Sequence, residues 1–512
     1  MVPALRHSWT ARTDQLDQSV EIFVPDDAVA ALLASIASIS VLLIVFACTC
    51  CRPADETDRT LREVVKKMGQ HPPRKSSRSS GSNSQSEKTS SSVSHGPCEL
   101  VTAKFALGWF RALDVAARKN EPLTMVTSPY AIQTAFALWY LGLSVERREQ
   151  MVAALFPGCG SKGGEVFAAL KTMTNATKWW RRQSMHVANR LYAPKQCRVA
   201  SKYRRKISKL FGGQQFLQVD FVGSAPSIID SINRWATAVT KKRITQLVNS
   251  LDVHKETGLL MVSAIFVDAG MNLQYPFDRY CTRVGKKFFA GGVEKVCDYM
   301  WLKRPLDYFE DDQCQVLRLP YKGDVAMGLY FLLPRKTDGL AELEAALTPE
   351  RLLDYLHACS GSTIEVEVRV PKMVLNTELQ HGNVLEALEK LSNATTEISS
   401  PRVPESEFEQ SNFSKMVFIP KKPKGREAKR ANNGRKLWLA QMVQKTAFEL
   451  EDMFVETDGD VSLRSYRTLC TTDRGRTSST TLFNADHPFF FVLVVEEPKI
   501  PIVMGRFCGR QE

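Results

Sequence analysis

Few of the residue types that do chemistry stand at a chemical spacing in this chain. Gly158-Cys159-Gly160-Ser161-Lys162-Gly163 matches G-x-G-x-x-G, which cradles phosphates when it follows a strand. Here it follows an amphipathic helical run ending at Phe156-Pro157, so it reads as a loop. There is no H-E-x-x-H, no Walker loop and no G-x-S-x-G, and the eight His residues do not cluster along the chain. Cys48 and Cys51 form a C-x-x-C with no second ligand pair. Nothing here argues for an enzyme, and no catalytic residue, cofactor or metal is expected. Two basic runs remain. Arg464, Arg467, Arg474 and Arg476 stand in a stretch otherwise rich in Ser and Thr. An Arg exposed in a mobile loop is what a trypsin-like serine endopeptidase, with an acid in its specificity pocket, would cleave. The bland alternative is an ordinary flexible loop.

The second run is Lys421, Lys422, Lys424, Arg426, Lys429, Arg430, Arg435 and Lys436, within sixteen residues. Pro and Gly make 415–436 a basic loop insert. It suits an anionic polymer such as glycosaminoglycan, a nuclear-import contact, or simply solvent. No aromatic residues interleave it, so base readout has no support. The net charge of +13 likewise favours anionic surfaces without choosing among them.

These runs must be carried by something, and 512 residues are enough for one large domain with extensions. Ala28 to Cys51 is a run of 24 residues without a charge, long enough to cross a ~30 Å hydrocarbon core. It is expected to be a retained transmembrane helix following a tail at 1–27, which makes the chain a single-pass membrane protein with lipid as one partner. Lys and Arg crowd its C-terminal side, which places that side in the cytoplasm. Palmitoylation of Cys48, Cys50 and Cys51 would agree with this orientation. The acceptor triplets at Asn175, Asn393 and Asn412 fit glycosylation and point to the opposite side. Residues 52–97 form a polar, Ser-rich linker whose composition cannot offset its ordering entropy. Nine of the twelve Cys lie from Cys98 onward without regular spacing, and mostly free thiols are expected.

From Cys98 the composition is globular. Ser128-Pro129, then Ala131-Ile132, Ala135-Phe136, Leu138-Trp139 and Leu141-Gly142, predict a buried helix capped by Ser and ended by Gly. Thr363 to Val370 alternates, with Ile364, Val366, Val368 and Val370 against Glu365, Glu367 and Arg369, which predicts a half-solvated strand. Met327–Leu333, Phe489–Val495 and Ile500–Met504 are further apolar strands. Helices lead and strands follow, so the class is α+β.

Six segments, taken in order, resemble the serpin family over roughly 98–512. Ser128-Pro129-Tyr130-Ala131-Ile132 is similar to its S-P-x-S-I helix. Val219-Asp220-Phe221 with Ile232-Asn233-Arg234-Trp235 resembles its V-D-F…I-N-x-W run. Met261-Val262-Ser263-Ala264-Ile265-Phe266 resembles L-V-N-A-I-Y-F, and Val370-Pro371-Lys372-Met373 resembles L-P-K-F. Val443 to Leu450 is similar to V-H-K-A-x-x-E-V, and Phe483-Asn484-Ala485-Asp486-His487-Pro488-Phe489 to the family's C-terminal signature. The resemblance implies helices packed on a large β-sheet with smaller sheets and an exposed reactive-centre loop, here 452–481. It also implies a monomer that traps a protease covalently. The protease cleaves the loop, forms an acyl-enzyme, and is dragged as the loop inserts into the sheet. His487 is expected to be structural.

Insertion requires alternate hinge residues to be small or apolar, because strand side chains alternate faces. The family's hinge is Ala-rich. This one is Phe454, Val455, Glu456, Thr457, Asp458, Gly459, Asp460 and Val461, with Phe454 where Gly is usual. Yet Val455, Thr457, Gly459, Val461 and Leu463 share one face, and charged or polar residues the other. Two functions therefore stand: inhibition of a trypsin-like serine endopeptidase, or a non-inhibitory serpin acting as a binding or scaffold protein. The family also has a polar Ser, Asn and His cluster beneath the sheet, at positions matching Ala131, Ser263 and Gln444, and a Trp near Met271. Losing those polar partners together would leave no orphan group, or would alter how readily the sheet opens.

Overall fold

A computed structural model describes residues 95–509 apart from 118–122, 161–162, 177–184, 394–415, 417–438, 455–479 and positions 196, 198, 213, 256 and 324. The chain divides into two units, Met1–Ser90 and Ser91–Glu512, and the description below is of the second.

The helices are α1 (Pro97–Ala117), α2 (Pro129–Tyr140), α3 (Val145–Leu155), α4 (Gly163–Ala176), α5 (Ser201–Phe211), α6 (Ala225–Val239), α7 (Leu340–Ala346), α8 (Pro349–Cys359) and α9 (His381–Asn393). The strands are β1 (Met125–Thr127), β2 (Met185–Pro194), β3 (Phe216–Val219), β4 (Leu259–Asp268), β5 (Arg283–Ala290), β6 (Val293–Glu310), β7 (Cys314–Pro320), β8 (Met327–Pro334), β9 (Thr363–Pro371), β10 (Met373–Leu379), β11 (Leu439–Leu450), β12 (Thr481–Asn484), β13 (Phe489–Glu496) and β14 (Lys499–Phe507). The expected α+β class is what the chain adopts. Among the described residues there are two sheets. One runs β1-β14-β13-β8-β7-β6-β9-β12 with β5 on β6, and the other runs β10-β11-β4-β2-β3.

The five-stranded sheet positions the site. Its β11–β4 pair is parallel, with Gln444 opposite Ser263, while β10–β11 and β2–β4 are antiparallel. Alternation splits its side chains between two cores. Leu260, Val262, Ala264 and Phe266 of β4 join Val443 and Ala447 of β11 against Ile228, Ile232 and Ala236 of α6. Leu259, Met261 and Met442 point the other way, into the core built on α1, α2 and α3. The I-N-x-W run is explained by position. Ile232 is buried, Asn233 accepts from Leu247 N at 2.8 Å and Val248 N at 3.0 Å, and Trp235 carries the Arg190 guanidinium 4.1 Å above its ring.

α2 forms where the sequence predicts it, and Ser128 Oγ accepts from Ala131 N at 3.1 Å. Gly142 follows the helix for a different reason. A Cβ there would lie 2.4 Å from the Met416 side chain. β9 departs from strict alternation. Ile364 is exposed, whereas Glu367 is buried because it accepts from Trp301 Nε1 at 3.1 Å and pairs with Arg369.

The expectation of a single-pass membrane protein is overturned. Among the described residues no helix is long and apolar enough to cross a membrane. The 28–51 segment, with Cys48, Cys50 and Cys51, lies outside the described residues. The lipid partner, the anchor and the orientation drawn from flanking charge are withdrawn with it. Seven described cysteines keep their thiols outside any disulfide, as expected, and four of them are buried. Cys281 departs from that expectation: it is disulfide-bonded.

Candidate functional site: the seam and the loop root

The segment expected to be the reactive loop follows the end of β11 at Leu450. Ala269 N donates to Glu449 O at 2.6 Å, which closes the top of the β11–β4 seam. Asp452 then turns inward with a side chain only 2% exposed. It takes an ion pair from Lys372 Nζ at 2.7 Å, accepts a short bond from Thr282 Oγ1, and has Arg279 Nε at 3.8 Å. Met453 is fixed through its backbone, with its N–H on Phe277 O at 2.9 Å and its carbonyl taking Arg279 N at 3.0 Å. Phe454 is exposed and meets Tyr280 edge-on at 5.4 Å. Lys372 belongs to the V-P-K-M segment, so the turn that resembles the family's L-P-K-F here also holds the loop root. Sequence spacing gave no sign of that pair, because Lys372 and Asp452 lie far apart in the chain.

The seam below is closed but imperfect. Ser263 Oγ, both polar atoms of Gln444, and Asn189 Oδ1 are buried without a hydrogen-bond partner. Alternation puts these three side chains on the α2 face of the sheet. Only the Asn189 amide N–H group is used, donating to Ala131 O at 3.0 Å and Thr134 Oγ1 at 2.8 Å. The three matched positions are therefore not a complete apolar swap. Ala131 has lost its polar atom, whereas Ser263 and Gln444 kept theirs and are left unpartnered. Each such buried group costs about 1–3 kcal/mol in the closed state. Met271 is exposed beside the loop root.

Geometry allows a further strand here. The chain leaves β11 at its C-terminal end and β4 runs parallel to β11. A segment folding back between them would lie antiparallel to both, the favoured ladder.

The remaining sequence candidates divide as follows. Val455 through Val461 and Arg464, Arg467, Arg474 and Arg476 lie outside the described residues, as do Lys421, Lys422, Lys424, Arg426, Lys429, Arg430 and Asn412. Within 415–436, Met416 is described. It is buried, its N–H donates to Gly142 O at 3.0 Å, and its carbonyl takes Ala200 N at 2.8 Å. Asn175 is exposed near the end of α4, and Asn393 is the last residue of α9. His487 is buried, with Nδ1 at 2.8 Å from Asp486 and Nε2 at 2.9 Å from the Pro334 carbonyl, a structural placement.

One basic surface escaped the sequence reading. On α5, Tyr203, Ile207 and Leu210 are buried, while Lys202, Arg204, Arg205, Lys206 and Lys209 are exposed. The spacing of the three apolar residues was the available signal.

The serpin family model (serine protease inhibitor) matches residues 101–509. The chain belongs to the serpin family. Mouse Serpin B10 is 25% identical over 432 residues, 79% of this chain and 98% of that protein. Horse leukocyte elastase inhibitor is 28% identical over 286 residues, 54% of this chain and 73% of that protein. Among solved structures, native protease nexin-1 with heparin superposes with a TM-score of 0.63 at 17% identity, covering 81% of this chain and all of that one.

Proposed function

We propose that the chain inhibits a serine endopeptidase of trypsin-like specificity by covalent trapping and loop insertion. The observation that carries this reading is the β11–β4 seam. It is closed as a parallel pair, lies next to the root of the loop, and holds unpartnered Ser263 and Gln444 groups that parting the strands would release. A closed seam is the state from which insertion of a further strand can still gain free energy. The Arg464, Arg467, Arg474 and Arg476 run supplies the basic cleavage position, and the name of the horse relative, an elastase inhibitor, supports a protease partner.

The test mixes the protein with trypsin-like endopeptidases and reads denaturing gels. The expected result is a band at the summed mass that survives boiling, with a released peptide that identifies the scissile Arg. Thr457→Arg puts a charge on the inserting face and converts the inhibitor into a substrate. Loop cleavage with no such band, or trapping unchanged by Thr457→Arg, refutes the mechanism.

A second reading is favoured by the anchored root. Lys372–Asp452 and Tyr280–Phe454 hold the residues that must move first. If they hold permanently, the protein is a non-inhibitory binding serpin. Its surface for an anionic polymer is then the α5 lysines and arginines with the 421–436 run, and the neighbouring nexin-1 structure contains heparin.

A further inference from the structure

The fold brings together two histidines that the sequence keeps far apart. His95 lies just ahead of α1 and His357 lies near the end of α8. Their rings stack with centroids 5.5 Å apart and planes 22° from parallel. Glu99, in the first turn of α1, completes the group, and the three residues can each present a ligand atom within 4.8 Å of the other two.

We propose that His95, His357 and Glu99 form a binding site for a borderline divalent metal, Zn²⁺ first. The cluster alone would not carry this, but the ring nitrogens do. His95 Nδ1 and His357 Nε2 are both buried and have no hydrogen-bond partner. The His95 side chain is 9% exposed. A buried nitrogen without a partner costs free energy, and two of them beside one carboxylate are what a metal ion repairs. The other nitrogen of His95, Nε2, lies 3.1 Å from Asp354 Oδ1. This sets a carboxylate beside the nitrogen opposite Nδ1, within reach to orient the imidazole once an ion is bound. Asp354 and His357 sit three residues apart on α8, on one face of the helix.

The carboxylate is equally prepared. Glu99 Oε2 accepts from Gly96 N at 2.9 Å and Oε1 from Lys499 N at 2.8 Å. Both bonds fix it at the helix start and leave lone pairs for a cation. Oε2 lies 3.8 Å from His357 Nε2, too long for a hydrogen bond. Two imidazoles and a carboxylate with one open position suit Zn²⁺ at about 2.0–2.2 Å from each ligand. Ligands at those distances are about 3.3–3.6 Å apart around a tetrahedral ion, so the group, now within 4.8 Å, must draw together on binding. The Lys499 charge is met by Glu496 at 2.6 Å. A bound ion would staple the first helix to α8 and, through Glu99, to the β13–β14 turn.

The experiment titrates the full-length protein with Zn²⁺ by calorimetry, and with Co²⁺ by visible absorption. It compares wild type with His95→Ala, His357→Gln and Asp354→Asn. Wild type is expected to bind one more equivalent than either histidine variant, and to show nitrogen–oxygen tetrahedral Co²⁺ bands that those variants lack. Asp354→Asn is expected to weaken that equivalent 10–100-fold. Zn²⁺ is expected to raise the melting temperature of wild type and not of His95→Ala. If His357→Gln fails to fold, His95→Ala decides, because His95 lies outside every helix and strand. Equal stoichiometry and affinity in wild type and His95→Ala overturn the site. So do Co²⁺ bands that carry thiolate charge-transfer intensity and survive both histidine substitutions.

Discussion

Gln444 and Ser263 are register partners across the parallel join between two inner strands of the five-stranded sheet, β11 and β4, and neither side chain has a hydrogen-bond partner. The sheet's other parallel pair, β2–β3, lies at its far edge. Other polar side chains of β11 are partnered: Gln441 with Asp252, Lys445 with Glu378 and Glu449 with Arg243. The two side chains are therefore where the closed state is weakest.

Replacing them with apolar groups should tighten the seam. Ser263→Ala with Gln444→Leu removes three orphaned atoms and adds apolar contact. The expected gain is about 1–3 kcal/mol per group relieved. Urea unfolding should show a higher midpoint with an unchanged slope. In the protease assay, the same variant should shift from trapping toward simple cleavage, since insertion then starts from a lower state. A lower midpoint would mean that the polar atoms have partners the closed seam does not reveal.

Lys372 makes the opposite case. Its ammonium is the nearest cation to the buried Asp452 carboxylate, at 2.7 Å against 3.8 Å for Arg279. Lys372→Met leaves that carboxylate with Thr282 and a distant guanidinium. Breaking one side of a buried pair costs about 3–5 kcal/mol. The loss falls on the loop root, so conversion to the inserted form on mild heating should accelerate. Lys372→Met with Asp452→Asn should recover much of the loss, and a double-mutant cycle would measure the coupling. Additive effects would show that the pair does not hold the root.

How much of this was legible in the sequence follows from range. Local signals were reliable: the Ser128 cap, the apolar runs of β8, β13 and β14, and the helix of α2 all depend on neighbours in the chain. Ser263 and Gln444 were picked out by resemblance, but whether their polar atoms had partners depended on β2, β4 and β11 meeting. The Lys372–Asp452 pair and the His95–His357 stack join distant segments, and no periodicity encodes them. Gly142 was read as a helix stop because that is glycine's commonest role there; its constraint comes from Met416. The uncharged 28–51 run misled in another way, since length and apolarity license a span without establishing one.

Met416 makes that last contact testable. It is fully buried within the core built on α1 and α2, in a stretch of chain otherwise called a basic insert. Met416→Ala should cost about 2–5 kcal/mol, the usual range for truncating a buried Met. Gly142→Ala should also destabilise, because its new methyl meets the Met416 side chain. The double variant Gly142→Ala, Met416→Ala should be less destabilised than the sum, because the 2.4 Å contact with Met416 Cε is gone, although Cβ of residue 416 at 2.9 Å still crowds the methyl. Thermal melts of the four proteins suffice, and strict additivity would refute the contact.

Glu449 gives the seam a pH dependence. Burial raises its carboxyl above the ordinary range; Arg243 at 2.9 Å opposes this, and Glu451 and Asp268 add to it. The folded value thus lies above the unfolded one, and the folded state keeps a proton that the unfolded state has lost. Stability from this group is fully present below the unfolded carboxylate value. It is lost as pH rises through the raised folded value, and is flat above that. Glu449→Gln holds the group in its neutral form, so the falling limb should vanish and the variant should be the more stable protein at neutral pH. Arg243 is half exposed and remains hydrated without its partner. Because Glu449 O takes the Ala269 N–H at the mouth of the seam, acid should also slow insertion in wild type and leave Glu449→Gln unchanged. Melting temperatures of both proteins from about pH 4 to 7 decide it: parallel curves would assign the limb to another group.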